Sequence, residues 1–348
     1  MIETPPTATA DPRIDELAHW LRTAVRLPEF SLAPASADAS FRRYFRATLA
    51  QPWHDAPGER SLIAMDAPPA QEDCDAFVRV AKLLQDAGVH APRILHRDMP
   101  RGFLLLTDLG TKTYASALDA AAAPSLYGDA IDALVRWQRG SREGVLPPYD
   151  EPLLRRELSL FPDWYVARHL GRALEPAQRR SLDDVFDLVL ANNLAQPRVF
   201  VHRDYHSRNL MVAAPNPGVL DFQDAVYGPV TYDLVSLLRD AYVEWDEELQ
   251  LDWAIRYWER ARSAHLPVAA DFAAFWRDFE WMGVQRQLKV LGIFARLKHR
   301  DGKNGYVDDM PRVLRYLRGA CARYGELDPL SALLDALGAR APAGIRSS

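Results

Sequence analysis

Apolar residues recur at helical spacing in some segments of this chain and form strand-like runs in others. Asp11-Pro12 combines a capping carboxylate with proline in the first turn, and a helical stripe follows it: Ile14, Leu17, Leu21 and Val25. Strand-like runs come next, at 42–49, 61–65, 94–95 and 102–106. A loop is expected over 31–40 and a helix over 71–84. This order predicts a small sheet with one helix packed on it.

The pattern changes at Asp108-Leu109-Gly110, which we take as a domain boundary. Beyond it helical spacing predominates, and three long helices are predicted: one over 126–139, one starting at Ser181 and one over 271–300. Short apolar runs typical of strands interrupt the helices at 199–201, 210–213 and 219–220. We therefore predict an α+β chain with an N-terminal lobe over 11–108 and a mostly helical C-terminal lobe over 109–340.

The composition is that of a folded enzyme without a broad basic surface. The 348 residues include 42 basic and 47 acidic ones, and the net charge of −5 argues against a nucleic-acid partner. Cys74 and Cys321 are too few for a disulfide framework, which favours a cytoplasmic protein. Residues 1–11 do not read as a signal peptide, and no apolar window of about 18 residues predicts a membrane span. The oligomeric state is not encoded in these patterns, and a monomer is the default expectation.

The chemistry-bearing segment is His202-Arg-Asp-Tyr-His-Ser-Arg-Asn209, which follows a predicted strand, with Asp221 twelve residues further on. Phosphoryl transfer needs a carboxylate that accepts the hydroxyl proton and oxygen ligands that hold Mg²⁺. Asp204 can serve as that base. Asn209 and Asp221 can hold the metal because the predicted hairpin brings them together despite their separation in sequence.

This spacing resembles the catalytic loop and metal-binding Asp of the protein-kinase-like superfamily. Gly228-Pro-Val-Thr-Tyr-Asp233-Leu234 is similar to its aminoglycoside phosphotransferase and choline kinase branch. Three further segments resemble the bacterial anomeric N-acetylmuramate/N-acetylglucosamine kinases within that branch: Ala39-Ser-Phe-Arg-Arg-Tyr-Phe-Arg46, Met65-Asp-Ala-Pro-Pro69 and Glu72-Asp-Cys74. The resemblance implies the two-lobed protein-kinase-like fold, with a small antiparallel sheet in the N-terminal lobe and ATP between the lobes.

The resemblance also implies an activity: ATP- and Mg²⁺-dependent phosphorylation of the anomeric hydroxyl of these sugars, in the recycling of cell-wall peptidoglycan. Asp204 would be the base, Asn209 and Asp221 the metal ligands, and His202 and Asp233 structural braces of the loop. Nucleotide contacts would come from a phosphate loop and from the hinge backbone: Ala39, Ser40, Phe41, Arg42, Arg43, Thr107, Asp108 and Leu109.

Two departures from the family pattern concern the phosphates. The loop over 37–43 contains no glycine, so its backbone approaches the phosphates less freely. The strand Leu62-Ile-Ala-Met65 carries no lysine. Arg42, Arg43 and Arg46 are the candidates for the missing positive charge.

Four residues are candidates for sugar contacts: His206, Glu157, Arg286 and Lys289. His206 lies two residues past the base and can bind the acceptor or the phosphate, or simply be a solvated loop residue. Glu157 lies on a segment with three aromatic residues, a combination found in sugar-binding sites, although the aromatics can equally belong to the core. Arg286 and Lys289 fall on or beside the inward stripe of the 271–300 helix. Each therefore needs a partner, which is either a carboxylate of the fold or the lactyl carboxylate of muramate.

Two rival functions stay open. One is a phosphotransferase of the same family that acts on an aminoglycoside or an amino alcohol. The other is a non-catalytic ATP-binding pseudokinase, supported only by the missing strand lysine. An acidic rim near Asp204 would favour a cationic acceptor, whereas an exposed arginine or lysine there would favour muramate.

Overall fold

The computed structural model describes residues 11–36 and 41–339, which divide into two compact units. One unit ends at Gln85 and resumes over Ala91–Gly110, and the other contains Asp86–His90 and the chain from Thr111 onward. The division differs from the predicted limits of 11–108 and 109–340 by the short excursion at 86–90 and by two residues at the boundary.

The first unit is built on a five-stranded antiparallel sheet in the order β1-β2-β3-β5-β4. Its strands are β1 Phe30–Ser36, β2 Arg43–Leu49, β3 Ser61–Asp66, β4 Ile94–Asp98 and β5 Phe103–Thr107. The loop prediction is wrong at 31–36, where the chain forms the edge strand β1. Pro34 is compatible with an edge strand because its missing N–H need not serve a second neighbour. Residues 37–40 lie outside the described part.

Helices α1 (Pro12–Thr23) and α2 (Cys74–Asp86) complete this unit. Leu17, Trp20 and Leu21 of α1 belong to the same apolar cluster as the alternating inward residues of β2, β3 and β5. The carboxylate of Asp66, at the end of β3, is fully buried and accepts hydrogen bonds from Arg13 Nε at 2.9 Å and Arg43 Nε at 3.1 Å. These bonds compensate the burial of the charge and link α1 to the sheet.

The second unit is mostly helical, so the predicted α+β class is confirmed. Its α-helices are α3 Tyr114–Ala117, α4 Ala123–Arg139, α5 Glu151–Leu160, α6 Pro176–Ala195, α7 Tyr232–Leu238, α8 Glu247–Ser263, α9 Phe272–His299, α10 Met310–Arg323 and α11 Asp328–Ala336. A π-helix at Phe161–His169 continues α5, and short 3-10 helices lie at Asn304–Asp309 and Gly325–Leu327. Two small antiparallel pairs interrupt the helices: β6 Arg198–Val201 with β9 Val226–Pro229, and β7 Leu210–Met211 with β8 Gly218–Val219.

Helix starts follow capping chemistry, although not always at the predicted residue. The predicted start of α6 at Ser181 is wrong. The helix begins at Pro176, where Glu175 and Gln178 form a reciprocal capping box. The start of α9 is confirmed, because the side chain of Asp271 caps it by accepting from the amide of Ala274 at 2.9 Å.

Helix α9 is the central element of the second unit, and most of its length is buried. Gly292 is required where α9 meets the end of α5, since a Cβ atom there would lie 2.4 Å from the backbone carbon of Leu160. Among the described residues, no helix combines the length and apolar composition that crossing a bilayer requires.

Candidate active site

The loop 202–209 joins β6 to β7. Its first residues are hydrogen-bonded to Asp233, the second residue of α7. The Asp233 carboxylate accepts the backbone N–H of His202 at 2.7 Å and that of Arg203 at 3.0 Å. Arg203 has a φ of +77°, a left-handed conformation that is strained for a side chain of this size. Burial raises the pKa of Asp233 to about 7, although both backbone hydrogen bonds oppose this shift. Asp233 therefore fixes the backbone immediately before Asp204.

A buried charge cluster, consisting of Arg203, Glu157, Lys289 and Tyr149, supports the same loop. Glu157 Oε1 lies 2.5 Å from Arg203 Nη2 and 3.0 Å from Lys289 Nζ. Tyr149 donates its hydroxyl proton to the other carboxylate oxygen, and Lys289 also donates to the Tyr232 hydroxyl at 2.9 Å. Burial acts to raise the pKa of Glu157, but Lys289 and Arg203 outweigh it and hold the pKa below its ordinary value.

This arrangement revises two of the predicted sugar contacts. Glu157 and Lys289 are both buried, and each is the other's ion-pair partner. The internal carboxylate considered for Lys289 is thus Glu157 of α5. The pair contacts the loop 202–209 through Arg203, and its charged atoms are already compensated within the fold.

Asp204 is held in its ionised form by the cations around it. Burial acts to raise its pKa, but nearby positive charge, with Lys289 first and Arg203 among the others, outweighs burial and keeps the pKa below its ordinary value. A general base must be unprotonated at the working pH. Asp204 meets that condition near neutral pH.

Asn209 and Asp221 are brought together by the β7–β8 hairpin, in which the amide of Leu220 donates to the carbonyl of Asn209 at 2.9 Å. The side-chain amide of Asn209 donates to the Asp204 carbonyl at 3.0 Å and to Asp221 Oδ2 at 3.3 Å. Both bonds use its nitrogen and do not involve its oxygen. An amide oxygen beside a carboxylate is a donor set that suits Mg²⁺.

His202 is a brace within the loop. Its Nδ1 accepts the backbone N–H of Asp204 at 3.3 Å, and burial lowers the pKa of its imidazole to about 4. The ring is therefore neutral at physiological pH, and it helps to orient the backbone of Asp204 without adding charge.

His206 and Arg286 occupy different surroundings. Burial lowers the pKa of His206, and its Nδ1 is buried without a hydrogen-bond partner among the described residues. A buried polar atom in that state needs a partner, which a water molecule or a ligand can supply. Arg286 is 4% exposed and donates to Ser236 Oγ at 2.8 Å and to the Arg239 carbonyl at 3.4 Å, so its guanidinium is engaged by α7 and the residue after it.

The predicted nucleotide contacts belong to the first unit, except that Ala39 and Ser40 lie outside the described residues. Phe41 donates its amide to Glu72 at 3.0 Å and exposes 62% of its surface. Thr107 ends β5, and Asp108 and Leu109 follow it. The three arginines proposed in place of the strand lysine each face a carboxylate: Arg42 that of Glu72, Arg43 that of Asp66 and Arg46 that of Asp108.

The matches with known proteins agree with this geometry. A model described as the phosphotransferase enzyme family matches residues 31–280. The chain belongs to this family. Two N-acetylmuramate/N-acetylglucosamine kinases are similar over most of their length. The one from Pseudomonas aeruginosa is 52% identical, with 94% of this chain and 97% of that protein covered. The one from Neisseria meningitidis is 51% identical, with 92% and 94% covered.

Solved structures show the same fold at much lower identity. The choline kinase LicA from Streptococcus pneumoniae matches with a TM-score of 0.59 and 13% identity, over 87% of this chain and 98% of that one. This similarity confirms the predicted protein-kinase-like fold, and the family match confirms that the chain is a phosphotransferase.

Some supporting residues could not be recognised beforehand. Asp240 accepts the amide of Ser207 at 2.8 Å and that of Tyr242 at 2.8 Å, which ties the loop to the segment after α7. Tyr149 reaches Glu157 from the segment before α5. The first contact joins residues 33 apart in sequence, and the second spans eight residues across the start of α5, so helical or strand periodicity signals neither of them.

Proposed function

We propose that this protein is an ATP- and Mg²⁺-dependent kinase of N-acetylmuramate and N-acetylglucosamine that phosphorylates the anomeric hydroxyl. The main support within the molecule is the convergence of Asp204, Asn209 and Asp221 at one end of the β7–β8 hairpin. The sugar assignment is supported by the names of relatives that are about half identical over nearly their whole length.

Asp204 accepts the proton of the anomeric hydroxyl and aims its oxygen at the γ-phosphate of ATP. An anomeric hydroxyl is more acidic than an ordinary alcohol, so an ionised carboxylate is a sufficient base. Asn209 and Asp221 would hold Mg²⁺, which when bound would neutralise charge on the phosphates. Catalysis then depends chiefly on positioning, which Asp233 and the buried charge cluster provide by fixing the loop.

His206 is the sugar contact that we retain from the sequence. It lies two residues after the base, and its Nδ1 has no hydrogen-bond partner in the part of the chain that the structure describes. Because the imidazole is neutral, it acts as a hydrogen-bonding group for the acceptor rather than as a cation for the phosphate. For the nucleotide we keep the contacts expected from the sequence: residues 39–43 with the phosphates, and the backbone of residues 107–109 with adenine. We further propose that the protein is a monomer and that it acts in the cytoplasm in the recycling of cell-wall sugars.

The test is ADP release by the purified protein with ATP and Mg²⁺ against a panel of acceptors: N-acetylmuramate, N-acetylglucosamine, an aminoglycoside and choline. We expect turnover with the two sugars, together with a phosphorus NMR signal for a phosphate on C1 and loss of the reducing end. Turnover only with the aminoglycoside or choline would replace the sugar assignment by the first rival function. Absence of ADP release with every acceptor of the panel would favour the pseudokinase.

A further inference from the structure

Arg208 is the exposed side chain of the catalytic loop. Of residues 202–209 it alone is largely exposed, with 45% of its side-chain surface accessible. It directly precedes Asn209, and three residues separate it from Asp204, so the Cα atoms of Arg208 and Asp204 are at most about 14 Å apart. An exposed cation is therefore carried by the same loop as the proposed base.

The position of this guanidinium is fixed by aromatic rings. Its central carbon lies 3.6 Å from the centroid of the Tyr242 ring and 5.6 Å from that of Tyr306. The Tyr242 ring also meets the His206 ring edge-on, with 5.3 Å between centroids. Asp240 holds the backbone of Tyr242 and of the loop together. Stacking on a face leaves the N–H donors at the edge of the guanidinium available for a planar anion.

These donors are little used by the protein itself. Arg208 makes no hydrogen bond to another described residue, and its nearest carboxylate oxygen, Asp309 Oδ2, is 3.8 Å away. That distance is well beyond a charge-assisted hydrogen bond. The other oxygen of Asp309 already accepts from Arg312 at 3.0 Å. Arg208 is thus a preorganised guanidinium whose protein partner is weak.

We propose that Arg208 binds the lactyl carboxylate of N-acetylmuramate and so favours this sugar over N-acetylglucosamine, which lacks the carboxylate. The inference rests on the proposed function and adds a specificity residue to it. Guanidinium and carboxylate match as planar, two-pronged partners. Arg286 and Lys289, the candidates for this contact from the sequence, are both buried and engaged within the fold. A nucleotide phosphate is the other anion that the same donors could take.

The experiment compares wild type, Arg208→Gln and Arg208→Lys on N-acetylmuramate, its lactyl methyl ester and N-acetylglucosamine, with the KM for ATP measured alongside. Arg256→Gln is the matched control, because Arg256 is an exposed arginine on α8 that pairs with Asp252. We expect Arg208→Gln to lower the kcat/KM ratio of N-acetylmuramate to N-acetylglucosamine by at least about tenfold, mainly through KM. Arg208→Lys should lie in between, and the ester should lose the same advantage on the wild type.

The outcomes separate the possibilities. An unchanged sugar ratio in Arg208→Gln, or an ester as good as the free acid on wild type, would overturn the carboxylate contact alone. Equal losses on both sugars with a raised KM for ATP would assign Arg208 to a phosphate instead. A wild type that phosphorylates neither sugar would overturn the proposed function and this inference with it. The ester arm uses the unmutated protein, so an ester that is as good as the free acid would overturn the carboxylate contact even if the variants fold poorly.

Discussion

Replacement of Glu157 by Gln tests whether the buried charge cluster holds the catalytic loop. The Glu157 carboxylate is 5% exposed and faces two cations, Arg203 at 2.5 Å and Lys289 at 3.0 Å. Removing one partner from a buried ion pair costs about 3–5 kcal/mol. Gln retains one acceptor oxygen, and its amide can donate to Tyr149, so we expect the low end, about 3 kcal/mol. For a unit of this size that corresponds to a fall in Tm of roughly 6–12 °C.

Activity should fall further than stability explains. Arg203 occupies a left-handed conformation next to Asp204, and loss of its side-chain anchor lets the loop shift. Displacements of about 1 Å in a catalytic group can cost about 10²-fold, so we expect kcat to drop by roughly 10- to 100-fold at temperatures where the variant is folded. Urea unfolding and steady-state ADP release measure the two effects separately.

The control is Glu151→Gln on the same helix, where the carboxylate is 55% exposed and pairs with Arg155 at 3.0 Å. It should change stability by less than about 0.5 kcal/mol. Lys289→Met should partly compensate Glu157→Gln, so the double variant should lose less than the sum of the two by at least about 1 kcal/mol. A Glu157→Gln protein that unfolds within 1 kcal/mol of wild type and keeps its kcat would refute this reasoning.

Two further predictions concern the second unit. Gly292→Ala should lower the free energy of unfolding by about 3 kcal/mol in urea, because its Cβ would lie 2.4 Å from the Leu160 backbone. Gly319→Ala in α10 should raise it by about 0.5–1 kcal/mol, because the added Cβ would meet the end of the flexible Arg323 side chain at 3.7 Å. Equal effects of the two would contradict the close approach of α9 to α5. The pKa of His202 is about 4 in the folded state and about 6.5 in the unfolded chain. Below pH 6.5 the unfolded chain therefore binds more protons than the folded protein, and the stability decreases as the pH is lowered. The stability advantage of wild type over His202→Gln should shrink by roughly 2–3 kcal/mol between pH 6.5 and 4.5, and a constant difference would contradict the buried neutral ring.

Local sequence patterns were sufficient to predict the loop and hairpin of the candidate site and most of the helices and strands. Asp204 and Asn209 lie on one loop, and two short apolar runs around a Pro- and Gly-containing turn indicate the hairpin that brings Asp221 to them. The inward stripe of α9 was also visible as helical periodicity. These features depend on neighbours in sequence, which is the range over which spacing carries information.

Contacts between distant segments could not be foreseen. Periodicity placed Lys289 on or beside an inward face but could not show that Glu157, on another helix, would be its partner. Strand β1 was missed because its small residues and proline read as a loop until β2 supplies its hydrogen-bond partners. Two capping patterns competed at α6, and the reciprocal bonds of Glu175 and Gln178 determined the start. The stacking of Arg208 could not be predicted, because the ring on which it stacks, Tyr242, belongs to the segment after α7.

The most direct test of the central claim is the turnover of Asp204→Asn with N-acetylmuramate, measured beside its binding of ATP with Mg²⁺. Loss of the base should reduce kcat by about 10²–10⁴-fold. The dissociation constant for the nucleotide should stay within a few-fold of wild type, because Asn209 and Asp221 are untouched. A variant that binds nucleotide normally and turns over at a near-wild-type rate would contradict the assignment of Asp204 as the base.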